Sequence, residues 1–165
     1  MENSSTNSFL EVQKFDQKWL WILLIVVSIV ILGVQFSIFF SSSVEASGFG
    51  FYSSLFNVFL VLILVGLFAV MRLKTNIDKE KISMKFFPFV KKEVAWRDIR
   101  KAEVLDYGFV GGWGIRLWTK YGTVYNTKGS KGLFIQLNDD KKFLIGTQRP
   151  DELANFIKRI EGDEQ

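Results

Sequence analysis

Two long stretches without charge dominate the first half of the chain. No Asp, Glu, Lys or Arg occurs between Lys18 and Glu45, or between Glu45 and Arg72. A helix needs about 20 consecutive apolar residues to cross the roughly 30 Å hydrocarbon core of a bilayer. The pattern therefore predicts two transmembrane helices, at residues 19–40 and 55–71.

Two other kinds of segment share this pattern: buried helices of a soluble protein, and a cleaved signal peptide. The rest of this 165-residue chain is too short to cover two helices that are apolar on every side. The first apolar run also exceeds the roughly 7–15 apolar residues of a signal peptide, and a second run follows it directly. We therefore interpret the two stretches as an uncleaved membrane hairpin.

Lys and Arg flank this hairpin but are absent from the segment that joins its helices, residues 41–54. Lys14 and Lys18 precede the first helix, and Arg72 follows the second. Short cytoplasmic segments of membrane proteins are enriched in Lys and Arg. We therefore expect a multi-pass protein of the cytoplasmic (inner) membrane with both termini inside, so that residues 1–18 form a cytoplasmic segment.

After the hairpin the pattern changes to short alternating runs separated by turns. Leu133, Ile135 and Leu137 alternate with Phe134 and Gln136, which is typical of a half-buried antiparallel strand. Other runs in residues 72–146 have similar lengths and are bounded by turn residues. The sequence predicts seven or eight antiparallel strands here.

The period becomes helical near the C-terminus. Pro150 suits the first position of a helix, and the acidic residues Asp151 and Glu152 suit its first turn. One apolar stripe follows at the spacing i, i+3, i+4 and i+7, formed by Leu153, Phe156, Ile157 and Ile160. We expect this helix to cap a mainly β domain of residues 72–161, with residues 162–165 as a tail.

Four short segments of this domain form an ordered series of motifs: Val94–Ile99, Gly111–Arg116, Tyr125–Gly129 and Leu144–Pro150. In sequence and order they resemble the bacterial pleckstrin-homology-like (PH-like) domains of small membrane proteins with an N-terminal two-helix hairpin. The resemblance implies a PH-like fold and a membrane context. It implies no catalytic residues.

The chain carries 21 Lys and Arg against 17 Asp and Glu, and only Lys14 and Lys18 of these cations precede the hairpin. Basic residues close to an anionic leaflet gain about 1 kcal/mol each. The predicted partners are therefore the bilayer and its anionic headgroups, although the cations beside the hairpin would also serve to set topology alone. Nucleic acid is not expected, given the membrane tether and the modest net charge.

Composition excludes several kinds of chemistry. The chain has no His and no Cys, which rules out Ser-His-Asp and Cys-His nucleophiles and the zinc sites built from these residues. The acidic pairs at 139–140 and 151–152 fit a turn and a helix start, and the glycine cluster at 108–114 matches no nucleotide-binding motif. We expect no metal, no cofactor and no catalytic activity. An enzyme acting on membrane lipids would have to rely on carboxylates.

One strand carries a candidate surface for a ligand or partner. Arg116, Trp118 and Lys120 alternate along it, so they are expected on the same face, with Trp113 nearby. A basic and aromatic stripe can stack on a ligand or lie on lipid headgroups. The alternative is an ordinary exposed strand face.

A few residues inside the predicted hairpin are candidates for contacts between helices or between copies of the chain. Gln35 and Asn57 offer hydrogen bonds in an apolar environment, and Gly33 and Gly66 permit close helix approach. The chain is accordingly expected to form a homo-oligomer or to join a larger membrane complex.

The leading hypothesis is a non-enzymatic, membrane-anchored interaction or scaffold module that binds protein partners, copies of itself or anionic lipid. The alternative is an accessory or sensor subunit of a larger membrane transporter or membrane enzyme.

Overall fold

The computed structural model describes residues 8–40 and 48–163. Contacts divide the chain into two units. One unit is the helix pair, Phe15–Val70. The other combines the chain before residue 15 with the chain after residue 70, and we call it the domain.

The helix pair consists of α1 (Lys18–Phe39) and α2 (Gly48–Val70). Within them, Lys18–Ile38 and Tyr52–Val70 are long and apolar enough to cross a bilayer, and only 6% and 0% of these spans are buried. Core helices of a soluble protein would be covered by other residues. The predicted apolar helices are therefore present, and their side chains lie largely open.

The second helix begins earlier than its hydropathy predicts. Residues 48–54, which the sequence places in the connecting loop, belong to α2. This part of the chain is less apolar and contains two glycines, which weaken a helix, but it has no proline to stop one. The rest of the predicted loop, residues 41–47, lies outside the described residues.

The first sheet of the domain has four antiparallel strands in the order β1-β2-β3-β4. The strands are β1 (Ser8–Lys14), β2 (Arg72–Asp78), β3 (Lys81–Phe87) and β4 (Val90–Ala95). A short 3-10 helix, Trp96–Asp98, leads out of the sheet. The helix pair is thus inserted between two neighbouring strands, and Lys14 lies opposite Arg72.

The strand β1 corrects the predicted domain boundary, which left residues 1–18 outside the domain. Its inward side chains are Phe9, Glu11 and Gln13, all buried, whereas Leu10 and Val12 are half exposed. Two of the three inward positions are polar. A search for apolar alternation therefore assigns the wrong face to this segment, or no strand at all.

The second sheet has five strands in the order β5-β8-β9-β7-β6, and the terminal helix α3 (Pro150–Asp163) follows it. The strands are β5 (Ile99–Asp106), β6 (Gly114–Thr119), β7 (Gly122–Asn126), β8 (Lys131–Leu137) and β9 (Lys142–Gly146).

The eight strands β2–β9 agree with the predicted seven or eight in residues 72–146, and β1 is a further strand outside that range. The prediction that all of them pair antiparallel is wrong, because β7 and β9 pair in parallel. The short connection between β7 and β8 makes these two strands antiparallel, and β9 enters between them after a tight turn from β8. A strand placed between two antiparallel neighbours must run parallel to one of them.

Strands β8 and β9 are buried on both faces. Leu133, Ile135 and Ile145 are fully buried in the core. On the other face, Phe134 and Leu144 pack in a second cluster with Tyr107 and Val124. Hence β8 is not the half-buried strand that its alternation predicts. The apolar stripe of α3 is buried as predicted, at Leu153, Phe156, Ile157 and Ile160.

Candidate functional site

A buried polar cluster joins β1 to the second sheet. Two hydroxyls, one side-chain amide and one carboxylate take part. The Gln13 amide donates to the Gly146 carbonyl at 2.7 Å and accepts from the Thr127 hydroxyl at 2.9 Å. The Glu11 carboxylate accepts from the Thr147 hydroxyl at 2.7 Å and from the Gln148 backbone N–H at 2.8 Å. Each inward polar group of β1 thus has partners at the end of β9 or in the residues that directly follow β7 and β9.

Two of the four sequence motifs described above supply these partners. Thr127 belongs to Tyr125–Gly129, and Thr147 and Gln148 belong to Leu144–Pro150. In this structure those motif residues hold the first strand in place. The sequence analysis missed Glu11 and Gln13. The signal that could have found them is the alternation of apolar and polar residues over positions 10–13, with the polar positions turned inward.

The candidate strand face around Trp118 does not follow simple alternation. The pairing of β6 with β7 shifts between Arg116 and Thr119, and Trp118 has a φ of 55°. Few residues other than glycine adopt this left-handed conformation, which costs roughly 1–3 kcal/mol. The shift breaks the alternation on which the prediction of one shared face for Arg116, Trp118 and Lys120 depends.

This irregular strand end exposes large apolar side chains. Trp118 is 94% exposed, Leu117 is half exposed, and Phe109 in the preceding glycine-rich loop is 82% exposed. Lys120 is exposed as well, while Trp113 is half-buried. We call Phe109, Leu117 and Trp118 the exposed aromatic site. Sequence reasoning found Trp118 and missed Phe109 and Leu117.

Arg116 has a different role from Trp118. Its guanidinium lies against Gly112, where φ is +122° and any side chain would collide with it. The Nε atom of Arg116 is buried and has no hydrogen-bond partner among the described residues. Arg116 therefore packs beneath the glycine-rich loop and is only partly available to a ligand.

The loop and the turn of the β6–β7 hairpin share one apolar support. Val110 of the loop and Tyr121 of the turn both pack against the cluster that contains Tyr107 and Phe134. The ring of Tyr121 lies 5.9 Å from that of Phe134, centre to centre, and the Lys120 ammonium lies 4.9 Å from the Tyr121 ring. This support fixes the backbone on both sides of the exposed side chains.

The candidate residues in the helix pair differ in their contacts. The Ser54 hydroxyl donates to Gln35 at 3.1 Å, a hydrogen bond between the two helices, whereas Asn57 donates to the Ser53 carbonyl within its own helix. A Cβ on Gly33 or Gly66 would meet nothing within 4 Å in the part of the chain that the structure describes. A role for these glycines between copies of the chain stays a prediction.

Burial shifts the pKa of titratable side chains in the domain. Burial, with a smaller contribution from Lys141, lowers the pKa of Lys92, whose ammonium lies 4.7 Å from the Phe143 ring. Burial likewise raises the pKa of Tyr107. Across residues 8–40 and 48–163, no group of three or more metal-ligating side chains comes together.

Comparison of the chain with protein-family models, with curated proteins and with solved structures finds no match.

Proposed function

We propose that this chain is a non-enzymatic interaction module, anchored in the cytoplasmic membrane by its helix pair and holding a PH-like domain at the inner surface. Both termini are cytoplasmic in this proposal. The exposed aromatic site is its binding surface for a protein partner.

The observation that carries the proposal is the pairing of β1 with β2 around the helix pair. Lys14 and Arg72 lie opposite each other in one sheet, on either side of the two apolar helices along the chain. Strands that pair must lie on the same side of a membrane. An even number of spans satisfies this condition, in agreement with the distribution of Lys and Arg.

The fold supports the PH-like assignment in outline. Two sheets are followed by a C-terminal helix whose apolar stripe is buried, which is the arrangement that the resemblance implies. The parallel pairing of β7 with β9 departs from an all-antiparallel plan.

The exposed aromatic site supports binding of a protein. Tryptophan is enriched among the residues that dominate protein–protein binding energy. Here Trp118 is almost fully exposed on a backbone held in an unfavourable conformation, and Tyr121 of the adjacent turn packs against the second cluster. A backbone conformation of this kind is costly and is often found at functional sites, which favours a binding role for Trp118.

The membrane topology can be tested with reporter fusions. A reporter that is active only in the cytoplasm should work at either terminus, and one that is active only outside should work within residues 41–47, between the two helices. The reason is that an even number of spans returns β2 to the side of β1. Extracytoplasmic activity from a C-terminal fusion would overturn the anchoring proposal.

The binding surface can be tested by photo-crosslinking in intact cells. A photoreactive residue in place of Phe109 should capture a protein, and Trp118→Asn should reduce capture about tenfold or more, because truncating a central tryptophan typically has this effect. Asparagine tolerates the left-handed backbone at this position. A probe at exposed Asn155 on α3 is the matched control.

The mass of the captured species distinguishes the outcomes. A second copy of the chain would identify self-association, and a larger membrane protein would favour the accessory-subunit alternative. Equal capture from Phe109 and Asn155, or capture of lipid alone, would contradict the proposed surface.

A further inference from the structure

The outer face of the first sheet concentrates positive charge. Lys74 on β2 lies directly opposite Lys85 on β3, and Lys85 lies opposite Lys91 on β4. All three side chains are exposed on the face that points away from the core. Like charges directly opposite each other across strands are destabilising. These three lysines therefore weaken the sheet unless a negatively charged group binds to this face.

Acidic residues form ion pairs with cations elsewhere on the domain, and Glu93 does so on this face. Lys101 pairs with Glu103, and Lys141 pairs with Asp139. On the basic face itself, Lys91 has Glu93 at 2.8 Å. On the neighbouring strands, Lys74 has no ion pair or hydrogen bond to any described residue. The Lys85 ammonium lies 5.5 Å from the Phe87 ring.

Two adjoining grooves run over these side chains. The larger has a volume of about 360 Å³ and is lined by Arg72, Lys74, Lys85 and Phe87. The smaller has a volume of about 230 Å³ and shares Lys74 and Lys85 with it. Among the described lining residues of both grooves none is acidic. Their size and charge suit a phosphate group with its substituents.

The residues that line the larger groove lie close to the helix pair in the sequence, and this indicates the source of that phosphate. Arg72 lies two residues after the last residue of α2, so its Cα is at most about 7 Å from the end of that helix. Lys14, opposite Arg72, lies four residues before the first residue of α1. On the other side of Arg72 lies Phe87, and the exposed Phe89 follows in the adjacent turn.

We propose that this face binds the headgroups of anionic phospholipids in the bilayer that holds the helix pair. Its cations are Lys14, Arg72, Lys74, Lys85 and Lys91, with Phe87 among them. Ammonium and guanidinium groups donate hydrogen bonds to phosphate oxygens, and aromatic side chains are enriched at the membrane interface. The inference rests on the proposed membrane anchoring, and it concerns a surface separate from the exposed aromatic site.

The test uses the full-length chain, which has no native cysteine. Ser83→Cys on this face carries an environment-sensitive fluorophore, and the protein is inserted into nanodiscs of phosphatidylcholine with or without phosphatidylglycerol. We expect a blue shift in the anionic discs only, reversed by high salt because salt screens exposed charges. The same fluorophore at Asn155→Cys should show no dependence on lipid composition.

Charge variants show whether the lysines cause the shift. Each cation near an anionic surface favours association about fivefold, so Lys74→Gln with Lys85→Gln should lower the docked fraction about tenfold or more. Lys142→Gln with Lys158→Gln removes the same charge from exposed positions elsewhere and should retain the shift.

Two results would overturn the inference. One is an emission spectrum that does not depend on lipid composition. The other is a shift of equal size when inorganic phosphate is added to phosphatidylcholine discs, which would identify a site for a free anion. The reporter fusions described above remain a separate test, since they detect anchoring and topology whether or not this face binds lipid.

Discussion

Replacing residues 15–71 with the dipeptide Asn-Gly, so that it links Lys14 to Arg72, should produce a folded, water-soluble domain. Residues 72–165 alone should be less stable by at least about 3 kcal/mol. The two joined residues are directly opposite in the first sheet, and Asn-Gly favours the two-residue turn that connects such a pair.

The expected difference comes from the contacts of β1. Phe9 is only 3% exposed and lies against Phe156 with their ring centres 6.2 Å apart. Removing a buried phenylalanine side chain typically costs about 3–5 kcal/mol. Loss of β1 also removes the buried hydrogen bonds that Thr127 donates to Gln13 and Thr147 donates to Glu11, which lowers stability further.

Urea unfolding followed by circular dichroism measures this difference. Within the joined chain, Phe9→Ala should lower the free energy of unfolding strongly, while Val12→Ala on the outward face of the same strand should change it little. Equal stability of the joined chain and of residues 72–165 would mean that β1 does not belong to the domain.

The second large effect is expected at the terminal helix. Phe156→Ala should lower the free energy of unfolding by about 3–5 kcal/mol, because Phe156 is 6% exposed and its removal leaves a cavity between α3 and β1. A small domain has only about 5–15 kcal/mol of stability in total. The substitution should therefore lower the melting temperature markedly.

Thermal unfolding of the full-length protein in detergent checks this expectation. Asn155→Ala is the matched control, since the neighbouring Asn155 is exposed and surface substitutions usually change stability by less than about 0.5 kcal/mol. If both variants melt at the same temperature, α3 does not dock through Phe156.

The sequence predicts the helices and the general layout well for a physical reason. Charged residues are costly in an apolar environment, so their absence between Lys18 and Arg72, apart from Glu45, is a strong signal. The stripe of α3 is similarly clear because four apolar residues recur at helical spacing.

The sequence predicts β1 poorly because its inward face is polar. Glu11 and Gln13 stabilise the fold through hydrogen bonds to Thr147 and Thr127, which lie more than 100 positions later in the chain. No local pattern contains that information. The parallel pair is missed for a related reason, since the order of strands in a sheet depends on long-range contacts.

The candidate surface shows the limit of simple alternation. Arg116, Trp118 and Lys120 share a face only in a regular strand, and the bulge near Trp118 removes that regularity. The exposure of Phe109 depends on how the glycine-rich loop folds over the second cluster. Positive φ values at the loop glycines are compatible with many paths, so composition alone does not select one.

The insertion of two helices between β1 and β2 also determines when the domain can fold during synthesis of the chain. The ribosome makes β1 first, but its partner strand emerges only after both helices, and the domain cannot close before then. In the proposed topology, a chain that inserted only one helix would leave β1 and β2 on opposite sides of the bilayer. Its domain would lack the strand that carries Phe9, Glu11 and Gln13. The core would then be exposed, and quality-control proteases would degrade the chain. In the proposed topology, completion of the first sheet thus depends on correct membrane insertion.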